Sequence, residues 1–189
     1  MIDRSLFTTP YGIILLICCV IFFLPAFGFV SQSYIFENFM KINSEINAGE
    51  KYRLLTSIFL HGDFFHLLFN MYSLFIIGGG FMQAFNYFGK NANVSFVLVY
   101  FVAGLCGSLA SYYFNPSPSL GASGAIFGLI GALLAMSVIK GQTEILLNYT
   151  YLIVINLVVG FLPGSNLDNS GHIGGLIGGI SMGTLLLLL

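Results

Sequence analysis

The chain has 189 residues, 57% hydrophobic and only 7% charged, with six basic and seven acidic side chains and a net charge of −1. Soluble domains carry roughly 25% charged residues, so this chain cannot clothe a water-facing surface, and its mean hydropathy of +0.93 points to the lipid bilayer as its solvent. A near-neutral balance excludes a nucleic-acid surface, and the scattered singles Arg4, Lys41, Lys51, Arg53, Lys90 and Lys140 exclude a polybasic lipid-headgroup cluster.

A bilayer core of ~30 Å takes about 20 apolar helical residues. The first apolar run, Tyr11–Val30, is 20 residues. That exceeds the ~7–15 residues of a signal-peptide core, so it reads as a retained first span. Residues 31–63 form the one long connection, mixed in charge and amphipathic around Phe36–Met40 and Leu54–Leu60. Such a segment is expected at the membrane interface. The second and third spans are expected at Phe64–Phe85 and Val94–Tyr113, and Pro116 and Pro118 break the chain before the fourth, Leu120–Ile139. The fifth is expected at Ile145–Gly160 and the sixth at Gly171–Leu189.

The fold class is therefore all-α, a polytopic membrane helical bundle with six transmembrane helices, residues 1–189 forming one membrane domain. Lys90 and Lys140 fall in the two short loops of one side, which places that side and the N-terminus in the cytoplasm. Cys18, Cys19 and Cys106 lie inside apolar runs, where free cysteine behaves as a small hydrophobe. Their placement gives neither a disulfide framework nor metal-ligand spacing. No cofactor and no metal are expected.

Polar groups in hydrocarbon are costly and need a partner or a function. Three clusters stand out. His61, His66 and Asn70 open the second span, Gly121-Ala122-Ser123-Gly124 opens the fourth, and Gly171-His172 opens the sixth. Ser123 lies 17 residues before Lys140, and His172 lies 17 before Leu189. At ~1.5 Å per residue both sit about 25 Å from the inner surface, just beneath the outer one. His66 and Asn70, four apart, share a helix face. A serine opening a helix has unpaired backbone N–H groups and the positive dipole end beside it, an anion site ready made. A nucleophile, a base and oxyanion donors are what peptide hydrolysis needs. Ser123, His172, and His66 with Asn70 and backbone N–H groups supply them. Gly171, Gly175, Gly179 and Gly183 recur every fourth residue, as do Gly124 and Gly128. Such faces let two helices approach closely, bringing Ser123 to His172.

Taken together, Gly-x-Ser-Gly at 121–124, Gly171-His172 on a glycine-rich last helix, and His61-x4-His66-x3-Asn70 resemble the rhomboid intramembrane serine proteases, and the six-span layout is similar to the compact bacterial GlpG type. The resemblance implies a Ser123–His172 dyad without a carboxylate. It implies oxyanion and substrate-positioning roles for His66, Asn70, Ser123 and Ala122, supported by His61, Phe127, Gly121 and Gly171. Tyr52-Arg53 matches an aromatic–Arg motif of the first loop. Residues 161–170 would form a cap over the site, and the fifth span a lateral gate. The implied partners are single-pass transmembrane substrates, cut near the outer face of a bacterial inner membrane. Two positions depart from the pattern. Phe127 stands where relatives often have tyrosine, and Gly78-Gly79-Gly80-Phe81-Met82-Gln83 lacks their glutamate.

Single residues have plainer readings: Ser123 as a helix cap, His172 as an interfacial side chain, Asn70 as interhelical glue. Asp168, four residues before His172, reads as a solvated loop carboxylate rather than a third triad member. Beside the protease stand a rhomboid-like non-catalytic binder of membrane helices and a small transporter. The transporter is disfavoured because no Asp, Glu, Lys or Arg falls within the spans.

Overall fold

The computed structural model describes residues 6–162 and 167–189. Among these the regular structure is helical, and the only extended pairing is one antiparallel bridge between Lys41 and Ser119.

Helix α1 (Pro10–Phe23) begins where Thr9 Oγ1 accepts the Gly12 N–H at 3.2 Å, with Pro10 at the first helical position. It stops short of the expected Val30. Pro25 tightens the chain into a 3₁₀ turn, Leu24–Phe27, and Gly28 ends that turn in the left-handed region at φ 76°. The connection that follows holds three short helices, α2 (Gln32–Phe39), α3 (Asn43–Asn47) and α4 (Arg53–Thr56). It is folded onto the bundle: Ile35, Ile46, Ile58 and Leu60 are buried, and so is Arg53. The Arg53 guanidinium pairs with Glu50, Nε to Oε2 at 2.7 Å, and donates to the Met40 carbonyl at 3.1 Å.

Five long helices complete the described residues: α5 (Phe64–Tyr87), α6 (Ala92–Phe114), α7 (Ser123–Lys140), α8 (Thr143–Gly160) and α9 (Asn169–Leu188). Asp63, Asn91 and Asp168 cap α5, α6 and α9 through their side chains. The first span together with α5, α6, α7 and α9 are long and apolar enough to cross a bilayer; α8 has a shorter apolar run, Leu147–Gly160. The fourth span starts at Ser123, three residues later than expected. The preceding residues are held instead by the Gly121 N–H to Ser57 carbonyl bond (3.0 Å) and by the Lys41–Ser119 bridge.

Helix α7 is the most enclosed of the spans. Its seam with α9 has no room for side chains. A Cβ on Gly175 or Gly179 would collide with the carbonyl oxygens of Gly124 and Gly128, and one on Gly183 would come within 2.6 Å of Ala132 Cα. Helix α9 has a second small face toward α6. A Cβ on Gly178 would meet Cys106 Cβ at 2.8 Å, and one on Gly174 the Cys106 carbonyl at the same distance. On the other flank, α1 closes on α5 at Gly78, where a Cβ would sit 2.8 Å from Tyr11 Cβ. The stacked Phe81 and Phe85 rings (4.1 Å) lie behind it, with Phe96 edge-on to Phe81 at 5.7 Å.

Candidate active site

The turn before α7 sets the site. Gly121 has φ +131°, a backbone conformation that suits glycine, and a Cβ there would lie 2.8 Å from His66 Nε2. Residue 121 thus needs glycine both for its backbone and to admit the His66 ring. Ala122 follows, fully buried, at the N-cap position and without a side-chain cap. Ser123 is the first residue of α7, not its cap, so the first-turn N–H groups keep their donor capacity beside its hydroxyl.

Facing it, His172 stands in the opening turns of α9, buried at 4% exposure, with Nε2 2.9 Å from Ser123 Oγ. The ring lies flat on Phe127, one turn along α7 from Ser123, at a centroid distance of 4.4 Å and 5° between planes. Its Nδ1 has no hydrogen-bond partner among the described residues. The backbone juncture is equally close: the Gly171 carbonyl would be 2.7 Å from a Cβ on Gly107 and 3.3 Å from one on Gly124. Three helices therefore meet, glycine to glycine, directly behind the Ser–His pair.

From α5, His66 reaches the rim of this pair, its backbone N–H capped by Asp63 at 2.9 Å. Asn70 lies one turn deeper, buried, with Nδ2 donating to the His66 carbonyl at 2.9 Å. An amide carries two donor hydrogens, so one remains for another acceptor. His61 packs edge-on against His66 at 5.2 Å and is 3% exposed. Burial, then the neighbouring His66, pushes the His61 pKa down to about 3, so its ring is neutral. His66, Asn70, Ser123, Phe127 and His172 border one cavity of about 370 Å³, which Asn156 of α8 also lines.

Asp168 is not a solvated loop carboxylate. One oxygen accepts the Gly171 N–H at 3.1 Å and the other accepts the Ser111 hydroxyl. Burial raises its pKa, but hydrogen bonds from Ser111, the Gly171 N–H, Asn115 and Ser119 outweigh that and hold it below the usual carboxylate value. Its carboxylate is bound away from His172 Nδ1, so no triad forms. Lys41, read from the sequence only as one of the scattered basic residues, is also part of these surroundings. It is 1% exposed, with Nζ donating to the Asn115 and Ser117 carbonyls at 2.6 and 2.9 Å. Of the expected cap at 161–170, residues 163–166 lie outside the described residues. Among those described, no cluster of three or more His, Cys, Asp or Glu side chains could hold a metal ion.

A bundle of helices of which five are long and apolar enough to cross a bilayer is an integral, multi-pass membrane protein. The Rhomboid domain model matches residues 48–189, and the chain belongs to the rhomboid family. It is similar to Rhomboid protease GluP of Bacillus subtilis (strain 168), with 46% identity over 142 residues, 74% of this chain and 27% of that protein. RHOMBOID-like protein 5 of Arabidopsis thaliana is 40% identical over 76% of this chain and 46% of its own length. Rhomboid-like protease 1 of Toxoplasma gondii is 33% identical over 74% of this chain and 48% of its own length. The chain thus spans between about a quarter and a half of the length of these relatives.

Proposed function

We propose that the chain is an intramembrane serine endopeptidase that cleaves single-pass transmembrane substrates through a Ser123–His172 dyad. The observation that carries this reading is the 2.9 Å contact between His172 Nε2 and Ser123 Oγ at an uncapped helix N-terminus. In the reaction His172 takes the proton from Ser123 as Oγ attacks the scissile carbonyl carbon, whose oxygen becomes the oxyanion. The Ser123 N–H, the free Asn70 hydrogen and His66 are the donors nearest to it; each such donor is typically worth about a hundredfold or more in rate. Collapse expels the amine, which takes its proton from His172 and leaves an acyl-enzyme. Water, deprotonated by the same ring, then releases the acid.

Support for a peptide bond as the target comes from the two relatives named as proteases. Support for a helical substrate comes from the cavity, bordered by α5, α7 and α8 inside the bundle. The segment leading into α5, the α6–α7 connection and the start of α9 share one end of the bundle with the site, and the α5–α6 and α7–α8 loops carrying Lys90 and Lys140 share the other. By the positive-inside tendency the lysine end is cytoplasmic, and so is the N-terminus. The site then opens to the outer face of a bacterial inner membrane, with the 31–63 segment along the interface and α8 as the mobile wall.

Ser123→Ala is expected to abolish cleavage of a labelled transmembrane substrate in vesicles, a loss of at least about 10⁴-fold, with the fold intact. A fluorophosphonate should label wild type at Ser123. Full activity of Ser123→Ala ends the reading. A folded wild type that neither cleaves nor labels is instead a non-catalytic binder of membrane helices.

A further inference from the structure

In Ser–His hydrolases the imidazole is ordinarily oriented by a third group on its other nitrogen. Among the described residues His172 Nδ1 meets no partner, so within them its orientation comes from elsewhere. Two constraints remain. Phe127 fixes the plane of the ring from one face. The position of the ring along and around α9 depends on how the first turn of that helix is held.

That turn is held by Asp168. Its carboxylate caps the Gly171 N–H, one residue before His172, and its backbone carbonyl accepts the His172 N–H at 3.0 Å. The carboxylate is itself immobilised by Ser111, at the end of α6. Ser111 also pairs with Ser119 at 2.9 Å, and Ser119 exchanges both backbone hydrogen bonds with Lys41 at 3.1 Å. The buried Lys41 ammonium draws the Asn115 and Ser117 carbonyls around itself, closing the turn that presents Ser119. Burial lowers the Lys41 pKa while the charge of Asp168 raises it, so the two ions support one another across the turn. The hub joins three connections, α2–α3, α6–α7 and α8–α9, and its last member is the cap of the helix that bears the base.

We propose that Asp168 is the positioning residue for His172, doing through the backbone of α9 what a carboxylate on Nδ1 does elsewhere, and that Lys41 anchors it. The role rests on the protease reading for its consequence but not for its geometry. Misplacement of a catalytic group by about an ångström costs on the order of 100-fold in rate.

The test uses the full chain in lipid bicelles, comparing wild type with Asp168→Ala, Asp168→Asn, Lys41→Met and the Asp168→Ala/Lys41→Met pair. Two readouts are taken: kcat and KM on a transmembrane substrate, and the ¹⁵N ring resonances of the three histidines without substrate. Asp168→Ala should lower kcat on the order of 10- to 100-fold, leave KM within about twofold, and shift and broaden the His172 signals more than those of His61. Asp168→Asn, whose amide oxygen can still cap Gly171, should recover most of kcat. Lys41→Met should act in the same direction, and the pair should lose little more than Asp168→Ala alone, because both act through one contact. Unchanged His172 resonances with kcat within about twofold overturn the proposal, as does an Asn variant no better than Ala, or full additivity of the pair. If Asp168→Ala does not fold, Asp168→Glu takes its place, its longer reach breaking the cap while keeping the charge. The resonances are read whether or not the protein cleaves, so failure of the protease reading shows separately, as an inert wild type.

Discussion

His61 shows how one buried side chain ties stability to pH. Its folded pKa is about 3, against ~6.5 when exposed. Between those values the unfolded chain binds a proton that the native ring refuses, so stability falls as pH drops below about 6.5 and the deficit is complete near 3. From pH 7 to pH 5 this amounts to about 2 kcal/mol. Thermal unfolding in micelles should therefore show a drop for wild type that is smaller by that amount in His61→Leu; equal drops would exclude the assignment. Ser123, His172, His66 and Asn70 were legible in the sequence because a polar residue inside an apolar run is conspicuous. Asp168 and Lys41 were not, because a charge in a loop reads as solvated until its neighbours are known. Nothing in the spacing of residues 41, 111, 119 and 168 announces that they meet.

The helices were legible as six apolar runs, and their ends were not. Pro25 ends α1 early, and the turn anchored at Gly121 delays α7; both are local decisions made by turn chemistry rather than by hydropathy. The fourfold glycine spacing of α9 announced one close face. The second, at Gly174 and Gly178 toward α6, needed the three-helix juncture to become visible. These seams carry a sharp contrast. Gly179→Ala forces a methyl into the Gly128 carbonyl and should cost about 1–3 kcal/mol. It should also slow fluorophosphonate labelling, because prising α9 from α7 parts His172 from Ser123. Gly79→Ala, on α5, meets nothing within 4 Å. It should be neutral or stabilising by up to ~1 kcal/mol. Equal melting temperatures for the two variants would contradict the seam.

For the molecule as a whole, α6, α7 and α9 form a tightly apposed block, while α8 rests mainly on α7 and only lightly on α9. The 370 Å³ cavity opens on the side where α5 and α8 flank that block. If a substrate helix enters there, Asn156→Trp should plug the space. It should lower kcat/KM for a transmembrane substrate by about tenfold or more while leaving labelling by a small fluorophosphonate within a few fold. Parallel loss of both would place the damage at the Ser–His pair instead of the passage.

The split of that pair between α7 and α9 also sets a clock. Ribosomes deliver the chain from its N-terminus, so Ser123 is inserted two helices before His172, the partner its hydroxyl meets in the folded bundle. A nascent chain threaded as far as α8 holds an inert alcohol among newly arriving membrane helices. On the protease reading, the dyad is complete only once the sixth span has docked along its glycine seam.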